Sequence, residues 1–331
     1  MTITNNKLRH RVSRLPSPMA GLALAIASLG WAWESMVPNM DGRGQLVGAS
    51  IASVLLLMLV AKFVLHPQVL IEELTHPVIG SVIPTFAMGL MVVSAALGQF
   101  NHAVGVGLWL LAIVIHIVFL TMFVYYRAID FKLEHMVPSW FVPPIGIIVA
   151  AVSFPHGSEM EYQWLANAIL TFGMTSYLVM LPIMLYRLIF CAPIADAAKP
   201  TIAILAAPAS LSLAGYLTIS NQPSLIIVGV LLTLALLMTS VIYLAFFHLL
   251  RLPFSPGYAA FTFPMVIGAT ALFKTVHWLV ATYGSSVFSF DLLITAKVEL
   301  IVATLVVTYV VSRYLYHYKS SFLSKSAQFK S

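Results

Sequence analysis

The chain has 331 residues, of which 60% are hydrophobic and only 8% charged, and its mean hydropathy is +0.97. A water-soluble domain needs roughly a quarter of its residues charged to cover its surface, so an ordinary soluble fold is excluded and lipid must be part of the solvent. One cysteine, Cys191, excludes an intrachain disulfide and a thiol-rich metal site, and the net charge of +6 is spread along polar breaks rather than gathered into a nucleic-acid-binding patch.

A bilayer core about 30 Å thick is crossed by about 20 apolar residues in a helix. Such stretches recur, and the breaks between them predict helices near 16–36, 46–66, 78–98, 103–127, 137–155, 163–187, 200–220, 224–250, 256–282 and 291–317. The expected organisation is a tail of residues 1–15, an all-α membrane domain of ten helices over 16–317, and a second tail of 318–331. The basic start resembles a signal peptide, but its apolar run ends in Trp31-Ala-Trp33-Glu34 without a small-residue cleavage site, so it reads as a retained first helix.

Nearly all Lys and Arg fall at one set of junctions. Lys7, Arg9, Arg11 and Arg14 precede the first helix, Lys62 ends the second, and Arg127, Lys132, Arg187, Lys199 and Arg251 follow at the later even-numbered breaks. Arg313, Lys319, Lys325 and Lys330 close the chain, whereas the opposite loops hold only Arg43 beside Asp41, Glu159 and Glu161. The positive-inside bias therefore predicts both termini on the cytoplasmic side of a cell inner (plasma) membrane.

The odd-numbered helices share a pattern. Prolines 18, 84, 144, 208 and 264 recur at intervals of 66, 60, 64 and 56 residues, and each is followed by a glycine: Gly21, Gly89, Gly146, Gly215 and Gly268. That period fits a two-helix hairpin repeated five times. All odd helices run in one direction, so prolines at like offsets lie at like depth. A proline frees a backbone carbonyl and kinks a helix, which in a membrane belongs against protein or a water-filled path. The expected architecture is an inner ring of five kinked helices lining a conduit, with Pro18, Gly21, Pro84, Gly89, Pro144, Gly146, Pro208, Gly215, Pro264 and Gly268 as kinks or lining, and straighter even helices outside.

The segments Leu15-Pro16…Gly21…Leu29…Trp33, His76-Pro77-Val78, Pro138-Ser139…Pro143, Leu205-Ala-Ala-Pro208…Tyr216-Leu217 and Phe261-Thr-Phe263-Pro264 together resemble the tellurite-resistance/dicarboxylate transporter (TehA-like) family, which includes the slow-type anion channels of plant guard cells. The resemblance runs over residues 15–317. It implies five helical hairpins in a quasi-fivefold arrangement, a homotrimer, and a phenylalanine of the ninth helix plugging the pore; the matching residue is Phe263.

Ionisable residues inside a membrane are costly and mark function, yet the middles of helices one, three, five and seven hold none. A nearly neutral pore suits small monovalent anions such as chloride and nitrate, and a benzyl group in it closes the tube sterically and dewets it. Lys274 follows Phe263 by eleven residues, about 16 Å of helix. It reads either as an outer anion attractor or as the partner of Glu299 or Asp291. His116 reads as a packing residue, and Trp31, Trp33 and Trp278 as an interfacial belt. The competing function is a proton-coupled carrier or exporter of dicarboxylate, sulfite or tellurite-type oxyanions. No catalytic residue, metal or cofactor is expected, and the expected partners are small inorganic anions, the lipid bilayer and two further copies of the chain.

Overall fold

A computed structural model of the chain describes residues 11–323. Lys7, Arg9, Lys325 and Lys330, with much of both expected tails, lie outside the described residues. Among the described residues the chain is helical and contains no strand. In order, the elements are α1 (Met19–Met36), α2 (Arg43–Leu65), α3 (Pro67–Thr75), α4 (Ile79–Gly98), α5 (His102–Ile129), α6 (Pro138–Val152), α7 (Glu159–Phe190), α8 (Lys199–Ile219), α9 (Leu225–Leu249), α10 (Pro256–Tyr283) and α11 (Val287–Leu323). Seven of these, α2, α4, α5, α7, α8, α9 and α10, are long and apolar enough to cross a membrane. α3 has no counterpart in the sequence-predicted set, because its nine residues are too few to span and its Glu72 and Glu73 disguise it as a polar break.

α1, α4, α6, α8 and α10 are the proline-bearing segments, and each packs against two others of the set. α1 touches α4 and α10, α4 touches α6, α6 touches α8, and α8 touches α10. α2, α5, α7, α9 and α11 each pack against the proline-bearing segment just before them. Their opposite faces expose Leu57, Ile117, Leu178, Ile226 and Leu305, an apolar outer surface that water would not tolerate.

The prolines stand where the segments break and pass into regular α-helix. Pro18 and Pro84 sit immediately before regular α-helix, Pro208 is the second residue of the α-helical part of α8 (Ala207–Ile219), and Pro264 is the third of that part of α10 (Thr262–Tyr283). Ahead of them α8 and α10 open as 3-10 turns, Lys199–Ala206 and Pro256–Phe261. A proline lacks an N–H that the first helical turn leaves unpaired anyway, so it starts a helix at little cost. α6 is the most broken, a run of short turns around Pro143 and Pro144. Its loose carbonyls are met from α5: His116 Nε2 contacts the Pro143 oxygen at 2.8 Å and Trp109 Nε1 donates to the Ala150 oxygen at 2.9 Å. Buried irregular backbone in a membrane needs such partners, which explains a fully buried histidine.

The basic residues do more than bias topology. Lys62 is 2% exposed; its Nζ donates to the Leu15 oxygen at 2.8 Å and pairs with Glu73 of α3 at 2.6 Å. Ser17, the neighbour of Pro18, joins through its own hydroxyl to Glu73. Arg127 donates to the Thr75 oxygen at 2.6 Å, Arg187 to the Glu134 oxygen at 2.9 Å, and Tyr314 to the Pro256 oxygen. In each case a polar side chain late on an outer helix holds the backbone at the entry to the proline-bearing segment it packs on. Val78 and Ile79 N–H groups at the start of α4 donate to His76 Nδ1, both at 3.1 Å. That acceptor requires an unprotonated imidazole, and burial together with the nearby Arg127 lowers the His76 pKa.

Candidate functional site

Two cavities lie in the middle of the five proline-bearing segments. The first, about 60 Å³, is bordered by all five: Pro18 and Gly21 from α1, Thr85 from α4, Gly146 from α6, Pro208 and Leu211 from α8, and Phe263 and Pro264 from α10. The second, about 20 Å³, is bordered by Ser28 and Trp31 from α1, Val92 from α4, Val149 and Val152 from α6, Leu211 from α8, and Phe263, Ile267 and Thr270 from α10. On every segment except α8 the second set is displaced toward higher residue numbers. The segments therefore run parallel, and the cavities are stacked along their common direction.

Only Phe263 and Leu211 border both cavities. They form the partition between two chambers, and the Phe263 side chain is buried at 7% exposure. The ring is placed there because Phe261-Thr262-Phe263-Pro264 is where α10 passes from 3-10 turn to α-helix. Phe261 points instead into the bundle, edge-on to Phe246 of α9 at 5.5 Å.

Among the described residues, no charged side chain borders either chamber. The threonine hydroxyls are spent locally, Thr85 on the Val82 oxygen at 2.6 Å and Thr270 on the Val266 oxygen at 3.0 Å. Ser28, buried, has no hydrogen-bond partner among the described residues, so its hydroxyl is a donor not spent on the backbone. The second chamber is just large enough for a single water-sized body, which needs at least about 10–15 Å³.

The remaining sequence-predicted residues are distributed as follows. Pro84, Gly89, Pro144, Gly215 and Gly268 border neither chamber. A Cβ on Gly89 would meet Leu56 of α2 at 3.3 Å, one on Gly215 would meet Ile148 at 2.6 Å, and one on Gly268 would meet Glu299 of α11 at 2.8 Å. These three glycines thus permit close helix contact. Lys274 makes no ion pair with Glu299 or Asp291 among the described residues, so the pairing expectation fails. The reason is angular: Phe263, Ile267, Thr270 and Lys274 follow the i, i+4, i+7, i+11 spacing of one helix face, whereas Glu299 meets α10 at Gly268, well round the helix. Trp31 borders the second chamber and Trp33 Nε1 donates to Thr304 Oγ1 of α11 at 3.0 Å, so neither serves only as an interfacial belt. Leu211 and Ser28 carried no signal in the sequence beyond lying on proline-bearing segments.

A family model described as SLAC1, voltage-dependent anion channel, matches residues 18–315. The chain belongs to this family. The motif resemblance and the family match agree: the apolar helices make the protein a multi-pass membrane protein, and the family is one of channels and transporters. It is similar to two uncharacterized transporters of Methanocaldococcus jannaschii. One is 27% identical over 241 residues, 64% of this chain and 68% of the relative; the other is 25% identical over 229 residues, 62% and 66% respectively.

Proposed function

We propose that the protein is an anion channel that passes small monovalent anions such as chloride and nitrate through a neutral pore closed by Phe263. The observation that carries this reading is the aromatic partition: one ring, backed by Leu211, separates two chambers bordered by all five proline-bearing segments. An apolar constriction of that kind blocks ions by steric closure and dewetting. The absence of charge on the chamber walls favours ions that shed water readily and gives a carrier no fixed guanidinium with which to grip a dicarboxylate. Lys274, without an ion pair among the described residues and on the Phe263 face of α10, supplies positive potential beyond the outer chamber.

In the full reading, α1–α2 and the four later hairpins form a ten-helix, quasi-fivefold domain. Both termini face the cytoplasm of the cell inner (plasma) membrane, and three chains associate. The cyclic packing of α1, α4, α6, α8 and α10 supports the ring, and the basic residues gathered at the entry to the proline-bearing segments support the orientation.

Anion current in oocytes or planar bilayers, wild type against Phe263→Ala, tests the reading. A small wild-type current and a large chloride- or nitrate-carrying current in the variant are expected. Silence of both, with malate or sulfite moved by purified protein under a pH gradient, replaces the channel with a coupled carrier.

A further inference from the structure

Glu299 of α11 is 5% exposed, yet among the described residues it has no hydrogen bond and no ion pair. Its Oε2 lies 2.8 Å from the point a Cβ on Gly268 would occupy. The carboxyl group therefore rests on the bare face of α10, five residues past Phe263. On α9, Thr239 Oγ1 lies 3.8 Å from the same point, and the buried Tyr243 hydroxyl, without a hydrogen-bond partner among the described residues, is in electrostatic contact with Glu299.

A membrane-embedded protein does not keep an isolated carboxylate in such a place, because nothing there replaces its hydration. In its protonated form the group is neutral and fits. The titratable and charged groups on the elements packed around it do not neutralise a charge there. They are Tyr243 and His248 on α9; Tyr258, Lys274, His277 and Tyr283 on α10; Glu34 on α1; and Asp291, Lys297, Tyr309, Arg313, Tyr314, Tyr316, His317 and Tyr318 on α11 itself. None forms an ion pair with Glu299, and Glu34 is engaged with the Gln45 N–H at 2.8 Å. A plain packing role would be served as well by methionine or leucine; a carboxyl group set against the one residue type that leaves room for it is specific to proton chemistry.

We propose that Glu299 is a proton-binding site of the transport machinery, protonated while it rests against Gly268 of the gate helix and releasing that proton to water when the contact loosens. The inference rests on reading α10 as the helix that carries the gate. Ionisation breaks the α10–α11 contact from behind Phe263, so alkaline conditions favour the open pore and acid the closed one.

The test uses the full chain in liposomes, with nitrate flux followed between about pH 5 and pH 9. Wild-type flux is expected to rise about tenfold as pH increases, the effect of one unit of differential proton affinity. Glu299→Gln, which mimics the protonated acid, should hold the acid-limit flux throughout, and Glu299→Asp should retain a pH dependence. Infrared difference spectra should show a protonated carboxyl band in the wild type that disappears in Glu299→Gln. Large flux from Phe263→Ala/Glu299→Gln shows that the glutamine protein is folded. A wild-type pH profile in Glu299→Gln, or a carboxyl band that survives the substitution, overturns the proposal. If Phe263→Ala is itself silent, the gate reading fails instead, and the infrared band still decides whether Glu299 holds a proton.

Discussion

Phe263 and Leu211 are both large and apolar, but under the proposed gate they are not expected to block equally. The aromatic ring is the wider and stiffer of the two, while Leu211 fills the remaining gap from α8. Leu211→Ala should therefore give a current above wild type and clearly below that of Phe263→Ala, and single-channel recording of the two variants measures the order. Equal currents would show that the partition is shared rather than led by the ring. Phe263 was singled out by its motif, with the proline beside it. Leu211 was not, since a leucine in a membrane helix carries no mark of the direction it faces. Lys274 shows the opposite case: its helical spacing from Phe263 was available in the sequence, but its lack of an ion pair emerged only once Glu299 was placed against Gly268.

The repeated element is a hairpin whose outer helix reaches back to the entry of its proline-bearing partner. Lys62 is the deepest of these contacts, bonded to Leu15, Ser17 and Glu73 with 2% exposure. Removing one member of a buried pair leaves the other charge uncompensated and costs about 3–5 kcal/mol. Lys62→Met should thus lower the thermal unfolding temperature in detergent sharply, and Lys62→Met with Glu73→Leu should recover much of the loss. An unchanged melting curve in the single variant would mean that α3 is not held by this contact. The positions of Lys62, Arg127 and Arg187 at helix ends were plain in the sequence and correctly marked the polar breaks. Their carbonyl partners were not, because Leu15, Thr75 and Glu134 contribute only backbone, which carries no residue-specific signal. The prolines were legible as a repeat; the 3-10 turns that precede Pro208 and Pro264 were not, because those turns are selected by packing.

At the scale of the molecule, the outer helices present an apolar face all round, and a groove of about 690 Å³ runs between α1, α2 and α11, lined by Leu22, Ile26, Leu55 and Val311 among others. Three-chain association predicts a species of three times the chain mass by native mass spectrometry from mild detergent, and a single-chain mass alone would remove the trimer from the reading. Composition and the spacing of apolar runs were enough to establish a helical membrane protein, because lipid tolerates no unpaired backbone and a span needs a fixed length of apolar chain. The five-part proline period pointed to a repeated hairpin, since a repeat is a pattern in one dimension, and the motifs around those prolines carried the resemblance to a family of channels and transporters. Which side chains meet across the centre, which glycines face a chamber and which a neighbouring helix, and that Glu299 rests against Gly268 are relations between segments up to hundreds of residues apart. They follow from helix rotation and close packing, and side-chain direction is settled only when every neighbour is in place.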